Sequence, residues 1–89
     1  MINNNDFDKL KKLLLENFTN STVTIESKGI INGKITIDKP SITFTVNKVI
    51  MTDNIKDFSI ELTTLRNTVF FEDYRVQLIY EDLVVTIEL

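Results

Sequence analysis

The amino-acid sequence predicts an α+β fold: an N-terminal amphipathic helix packed on a strongly curved antiparallel β-sheet or small β-barrel of about six to eight short strands. Three observations carry that expectation. Apolar residues near the start recur at helical spacing, apolar residues from Thr22 onward recur at every second position, and turn-forming residues interrupt the second pattern at short intervals. With 89 residues the chain has room for one core, so 1–89 is read as a single domain, with the helix over about 6–18 and the β-rich region over about 22–89.

The helix is marked by Phe7, Leu10, Leu13, Leu14 and Phe18 on one face, and by Asp8, Lys9, Lys11, Lys12 and Glu16 on the other. Asn5 or Asp6 is suited to cap it, and Asp6 and Asp8 place negative charge where the helix dipole favours it. Leu15 lies off the apolar stripe, and Thr19 to Ser21 favour a turn.

Val23 and Ile25 then alternate with Thr22, Thr24 and Glu26, and Ile31, Gly33, Ile35 and Ile37 resume the alternation. A three-residue loop of Ser27, Lys28 and Gly29, with Gly29 left-handed, would set Ile25 opposite Ile31 and Val23 opposite Gly33. A turn at Asn32 and Gly33 would instead set Lys28 opposite Ile37. On the first register Gly33 marks a bulge or the close approach of another element, such as the helix. Pro40 breaks the sheet, because proline donates nothing to a ladder.

Ile42, Phe44 and Val46 form the next apolar face, and a turn at Asn47 and Lys48 would pair Val46 with Val49 and Phe44 with Met51. Asp53 to Asp57 read as a loop, and Phe58, Ile60 and Leu62 as a strand. A turn at Arg66 and Asn67 leaves Thr68 to Phe71 as a short strand. Phe70 and Phe71 are adjacent, so they face opposite sides and one looks away from the core.

The stretch from Tyr74 to Leu89 reads as a β-hairpin with Glu81 and Asp82 in its loop. Directly opposed residues are then Tyr80 with Leu83, Leu78 with Val85, Val76 with Ile87, and Tyr74 with Leu89, all on one face. Arg75 with Glu88 and Gln77 with Thr86 share the other, where Ile79 and Val84 also pair. A slip of one residue would turn the apolar face outward, so this register is strongly specified.

Composition narrows the chemistry. The chain has no cysteine and no histidine, which removes thiolate nucleophiles, disulfides, thiolate metal sites and the commonest general base. Its polar start lacks the apolar segment of a secretory signal, and no run approaches the roughly 20 apolar residues of a membrane span, so a cytoplasmic protein without a membrane partner is expected. On that expectation the acceptor-like triplets at Asn17 and Asn20 are accidental. With only two glycines, neither the phosphate-binding nor the dinucleotide-binding glycine pattern can be written. The acid pairs Asp6 with Asp8, Glu72 with Asp73, and Glu81 with Asp82 fall at a helix start and at turns, so no enzyme activity, cofactor or metal is expected.

The net charge of −3 is unevenly spread. Up to Thr52, seven lysines face five acids; from Asp53 onward, three basic residues face eight acids. An acidic half attracts basic protein surfaces and repels phosphate backbones. The favoured reading is a small acidic protein-binding module that docks on a larger protein or nucleoprotein complex through Phe70, Phe71, Glu72, Asp73, Glu81 and Asp82. The abundance of Asn, Ile and Lys over Arg suits an AT-rich genome, and with it a bacterial or phage accessory or inhibitor protein, for example one directed against host defence. A second copy of the chain could pair through an edge strand or at the Phe70 and Phe71 region.

The stretch VTIESKGIINGKITID, with a glycine turn, a second glycine and an aspartate, resembles the first strands of Sm-like proteins. It departs from them in a Gly29 to Gly33 spacing one residue shorter and in having no Asn after Asp38, so no residue role transfers. The alternative reading is an Sm-like or related small β-barrel that binds RNA or DNA through its lysine-bearing half, where the charge distribution, not the resemblance, points to Lys28, Lys34 and Lys48.

Overall fold

The computed structural model describes residues 2–89. Helix α1 spans Asn4–Leu13, and its last turns widen into a π-helical segment, Leu14–Phe18. The cap is Asn3, not Asn5 or Asp6: its side-chain oxygen accepts from the Asp6 N–H at 2.8 Å, and its amide donates to the Asp6 carboxylate at 3.3 Å. Three successive asparagines can each cap. Asn3 is the one that puts Asp6 at the third helical position, where its carboxylate can answer the cap. The stripe of Leu10, Leu13, Leu14 and Phe18 is buried, and Leu15 is exposed.

Eight strands follow: β1 (Thr22–Gly29), β2 (Gly33–Asp38), β3 (Ser41–Phe44), β4 (Lys48–Thr52), β5 (Asp57–Glu61), β6 (Asn67–Phe71), β7 (Arg75–Ile79) and β8 (Leu83–Glu88). They form two antiparallel sheets, one of five strands in the order β2-β1-β8-β7-β6 and one of three in the order β3-β4-β5. The α+β class holds. The expected single curved sheet or barrel is replaced by two open sheets, because the chain leaves the first at Lys39, held at φ 49°, and Pro40, and returns only through the link 62–66. Between the sheets the free edges of β2 and β5 are bridged by a side chain, the Lys56 ammonium donating to the Thr36 carbonyl, instead of by a ladder.

The β7–β8 hairpin has the expected register, from Arg75 opposite Glu88 to Ile79 opposite Val84, and Tyr80 N–H to Leu83 C=O closes it at 2.8 Å. Two other registers differ from expectation. Ile25 lies opposite Ile35 and Val23 opposite Ile37, so the β1–β2 loop runs from Lys28 to Asn32. The strand β1 continues to Gly29 because its other edge pairs with β8, setting Lys28 opposite Val84 and Gly29 opposite Leu83. Asn32 ties the longer loop, accepting from the Gly29 N–H at 3.1 Å and donating to the Gly29 C=O at 3.2 Å.

In the second case Phe44 lies opposite Val49 and Ile42 opposite Met51. The turn is one residue earlier at each side than expected, at Val46 and Asn47, because the Thr45 hydroxyl accepts from the N–H groups of Asn47 and Lys48 at 3.2 and 3.0 Å. Val46 is consequently at the tip and 81% exposed. Both slips move the pairing by an even number of residues, so the apolar faces stay inward.

The core joins all three parts. It comprises the helix stripe, Val23, Ile25 and Ile37 from β1 and β2, Val76, Leu78, Val85 and Ile87 from the hairpin, and Val49, Met51 and Ile60 from the small sheet. Leu62 and Leu65, in the link between the sheets, are buried with them. Among the described residues no polar or charged residue is buried. The helix closes one flank, with Phe7 edge-on to Phe44 at 5.7 Å and the Lys9 ammonium 4.4 Å from the Phe70 ring centre. Among the described residues no helix is long and apolar enough to cross a membrane.

Candidate functional site

The flank away from the helix is open. There β5, an edge strand, borders a cleft of about 710 Å³ against the start of β8 and the β1–β2 loop. Its floor and walls are Ile31, Phe58, Ile60, Tyr80, Leu83 and Val85; Ser27, Ser59, Thr64, Glu61, Arg66, Glu81 and Asp82 complete the lining. The volume lies within the range of ligand sites, and the mixture of apolar walls with a few polar groups is their usual composition.

The cleft exists because of how each segment folds. Gly29, at φ 141°, lets β1 run against the β7–β8 turn: a Cβ there would lie 2.2 Å from the Asp82 carbonyl oxygen. Ile30 N–H donates to that same oxygen at 2.9 Å, which holds the loop beside the turn and leaves Ile31 67% exposed at the cleft mouth. On the opposite wall, Leu62 N–H donates to Asn47 C=O at 2.7 Å, which makes Asn47 and Leu62 a hydrogen-bonded pair. By alternation the next such pairs are Val49 with Ile60 and Met51 with Phe58, so the main-chain groups of Asp57, Ser59 and Glu61 point away from β4. Among the described residues no strand pairs with that edge.

One of those groups is already engaged. The Tyr80 hydroxyl donates to the Glu61 carbonyl, tying β5 to the hairpin across the cleft floor. Burial, and secondarily the Glu61 carboxylate, push the Tyr80 phenol up to about 12. That direction keeps the hydroxyl a neutral donor and takes it further from acid–base work near neutrality. On the rim, Glu81 is 3.4 Å from Arg66, and the Glu61 carboxylate accepts from the Thr63 hydroxyl at 2.9 Å. The arrangement can hold an apolar ligand beside positive charge; it presents no activated nucleophile.

The residues read from the sequence as a protein-binding surface fall at separate places in the fold. Glu81 and Asp82 are on the cleft rim, whereas Glu72 and Asp73 lie in the β6–β7 turn, about 20 Å away at the other end of β7. Phe70 faces inward, packed on the core beneath Lys9, and Phe71 looks away from it, 4.1 Å from the Arg75 guanidinium. The three lysines of the nucleic-acid alternative are also dispersed. Lys34 lies directly opposite Glu26, Lys28 is 3.8 Å from the same carboxylate, and Lys48 is on the other sheet opposite Glu61. Gly33, expected at a bulge or beneath the helix, has only the Ser27 hydroxyl oxygen at 3.9 Å from a Cβ position.

By their alternation Phe58, Ile60, Leu83 and Val85 are core-facing positions, yet in the structure they line an opening. The available signal was Ile30 and Ile31, two branched apolar residues beside glycines in a hairpin loop. Among the acids, Asp53 builds its own turn, its carboxyl held below the usual range by the N–H groups of Ile55 and then Lys56. No protein-family model, curated protein or solved structure matches the chain.

Proposed function

We propose that the chain is a non-enzymatic protein-binding module that acts by occupying a surface of a larger protein or nucleoprotein complex, as an accessory or inhibitor protein. The observation that carries this reading is the acid-rimmed apolar cleft. Burial of Ile31, Phe58 and Leu83 against a partner supplies affinity, and Glu61, Glu81 and Asp82 favour a basic approach over a phosphate backbone. The three lysines of the nucleic-acid reading are spread over two sheets, and Lys28 is 3.8 Å from the Glu26 carboxylate, so no comparable observation supports it.

The test is an affinity pull-down with the full chain from its source cells, with and without nuclease, followed by mass spectrometry. A defined protein that survives nuclease is expected. Glu81→Lys with Asp82→Lys, which reverses two charges on the rim, should lower its recovery about tenfold at low salt, while Glu72→Lys with Asp73→Lys, at the far end of β7, should leave it unchanged. Recovery that depends on nucleic acid, or that is indifferent to the first pair, overturns the proposal.

A further inference from the structure

Resting on that reading, the geometry points to the form the partner takes: an extended segment of another protein that pairs with β5, adding a fourth strand to the three-stranded sheet. Three observations converge on it. The Ser59 N–H and C=O and the Glu61 N–H are aimed at the cleft, and among the described residues no strand receives them. Such an edge is a template for an added strand.

The space beside it is lined on the far side by apolar side chains, so alternate residues of the segment would enter the cleft against Leu83 and Ile31. The charge on the rim selects the rest. Arg66 is answered by Glu81, which leaves Glu61 and Asp82 to attract lysine or arginine on the segment. A second copy of this chain fits less well. Two β5 edges paired about a two-fold at Ser59 would set Asp57 against Glu61, and like charges directly opposite destabilise a ladder.

The probe is a displayed library of random peptides selected on the full chain. Enriched peptides should alternate apolar residues with lysine or arginine, and on binding should slow amide exchange at Ser59 and Glu61. Ser59→Pro removes an N–H that faces away from β4, which an edge strand tolerates, and should weaken binding at least tenfold. Ile31→Glu, at an exposed position, provides the same reading without touching the sheet.

Peptides that are acidic or helical, or that protect the outer face of the five-stranded sheet, overturn the proposal while leaving a protein-binding module. A library without binders, set beside a pull-down that retains a partner, does the same; failure of both removes the module as well. Concentration-dependent self-association abolished by Ser59→Pro would assign the edge to a second copy and overturn the proposal.

Discussion

The chain's two glycines have opposite standing in the folded state. Gly29 has φ 141° and no room for a side chain, since the Asp82 carbonyl oxygen would sit 2.2 Å from its Cβ. At Gly33 a Cβ would meet only the Ser27 hydroxyl oxygen, at an ordinary 3.9 Å. Gly29→Ala should therefore cost at least about 2 kcal/mol, from backbone strain together with displacement of a main-chain neighbour. Gly33→Ala should fall within about 0.5 kcal/mol of the parent, or stabilise slightly by restricting the unfolded chain. Urea denaturation of the two variants checks this, and equal effects would refute the assignment. Both residues stand out in the sequence, but the demand on Gly29 comes from Asp82, far along the chain, and no local pattern reports such a contact.

Among the elements, the hairpins divide by where their turn chemistry resides. In β7–β8 the apolar phase continues across Glu81 and Asp82, and the observed pairs follow directly from it. In β3–β4 the phase admits either of two turns, and the choice falls to the Thr45 hydroxyl, which receives two N–H groups. Thr45→Val, which keeps the branched shape and loses the acceptor, should destabilise by about 1 kcal/mol. Val46→Ala, at the exposed tip, should change stability by less than about 0.5 kcal/mol; the alternative register would pair Val46 with Val49 and make that change costly. Equilibrium unfolding of both variants distinguishes the registers. Pro40 signals where the first sheet ends, but where β5 lies against β8 depends on packing through the link 62–66, whose buried Leu65 falls outside any periodic pattern. The cleft was illegible for that reason.

At the scale of the whole molecule, two side-chain bonds among the described residues tie the sheets together beyond the core: Lys56 to the Thr36 carbonyl and Tyr80 to the Glu61 carbonyl. The second depends on a proton. Because the folded Tyr80 phenol is raised to about 12, above an ordinary value near 10, its contribution to stability is complete below about pH 10 and is lost as pH rises through about 12. Stability measured by denaturant titration across that window should fall more steeply for the parent than for Tyr80→Phe. Identical slopes would mean that the phenol does not link the sheets.

The central place of β8 has a temporal consequence. In the five-stranded sheet β1 touches β2 on one side and β8 on the other, and the strand that completes it is the last of the eight to be synthesised. At roughly 5–20 residues per second, translation leaves several seconds between the emergence of Gly29 and of Leu83. Throughout that interval the nascent chain has the helix and the β1–β2 hairpin but not the β7–β8 pair that β1 requires. Its ladder on that side stays open, and the high contact order of the β1–β8 pairing slows the final closure. Folding of this chain thus waits on the ribosome, and the interval before β8 appears is when its strands are most exposed to pairing with the wrong neighbour.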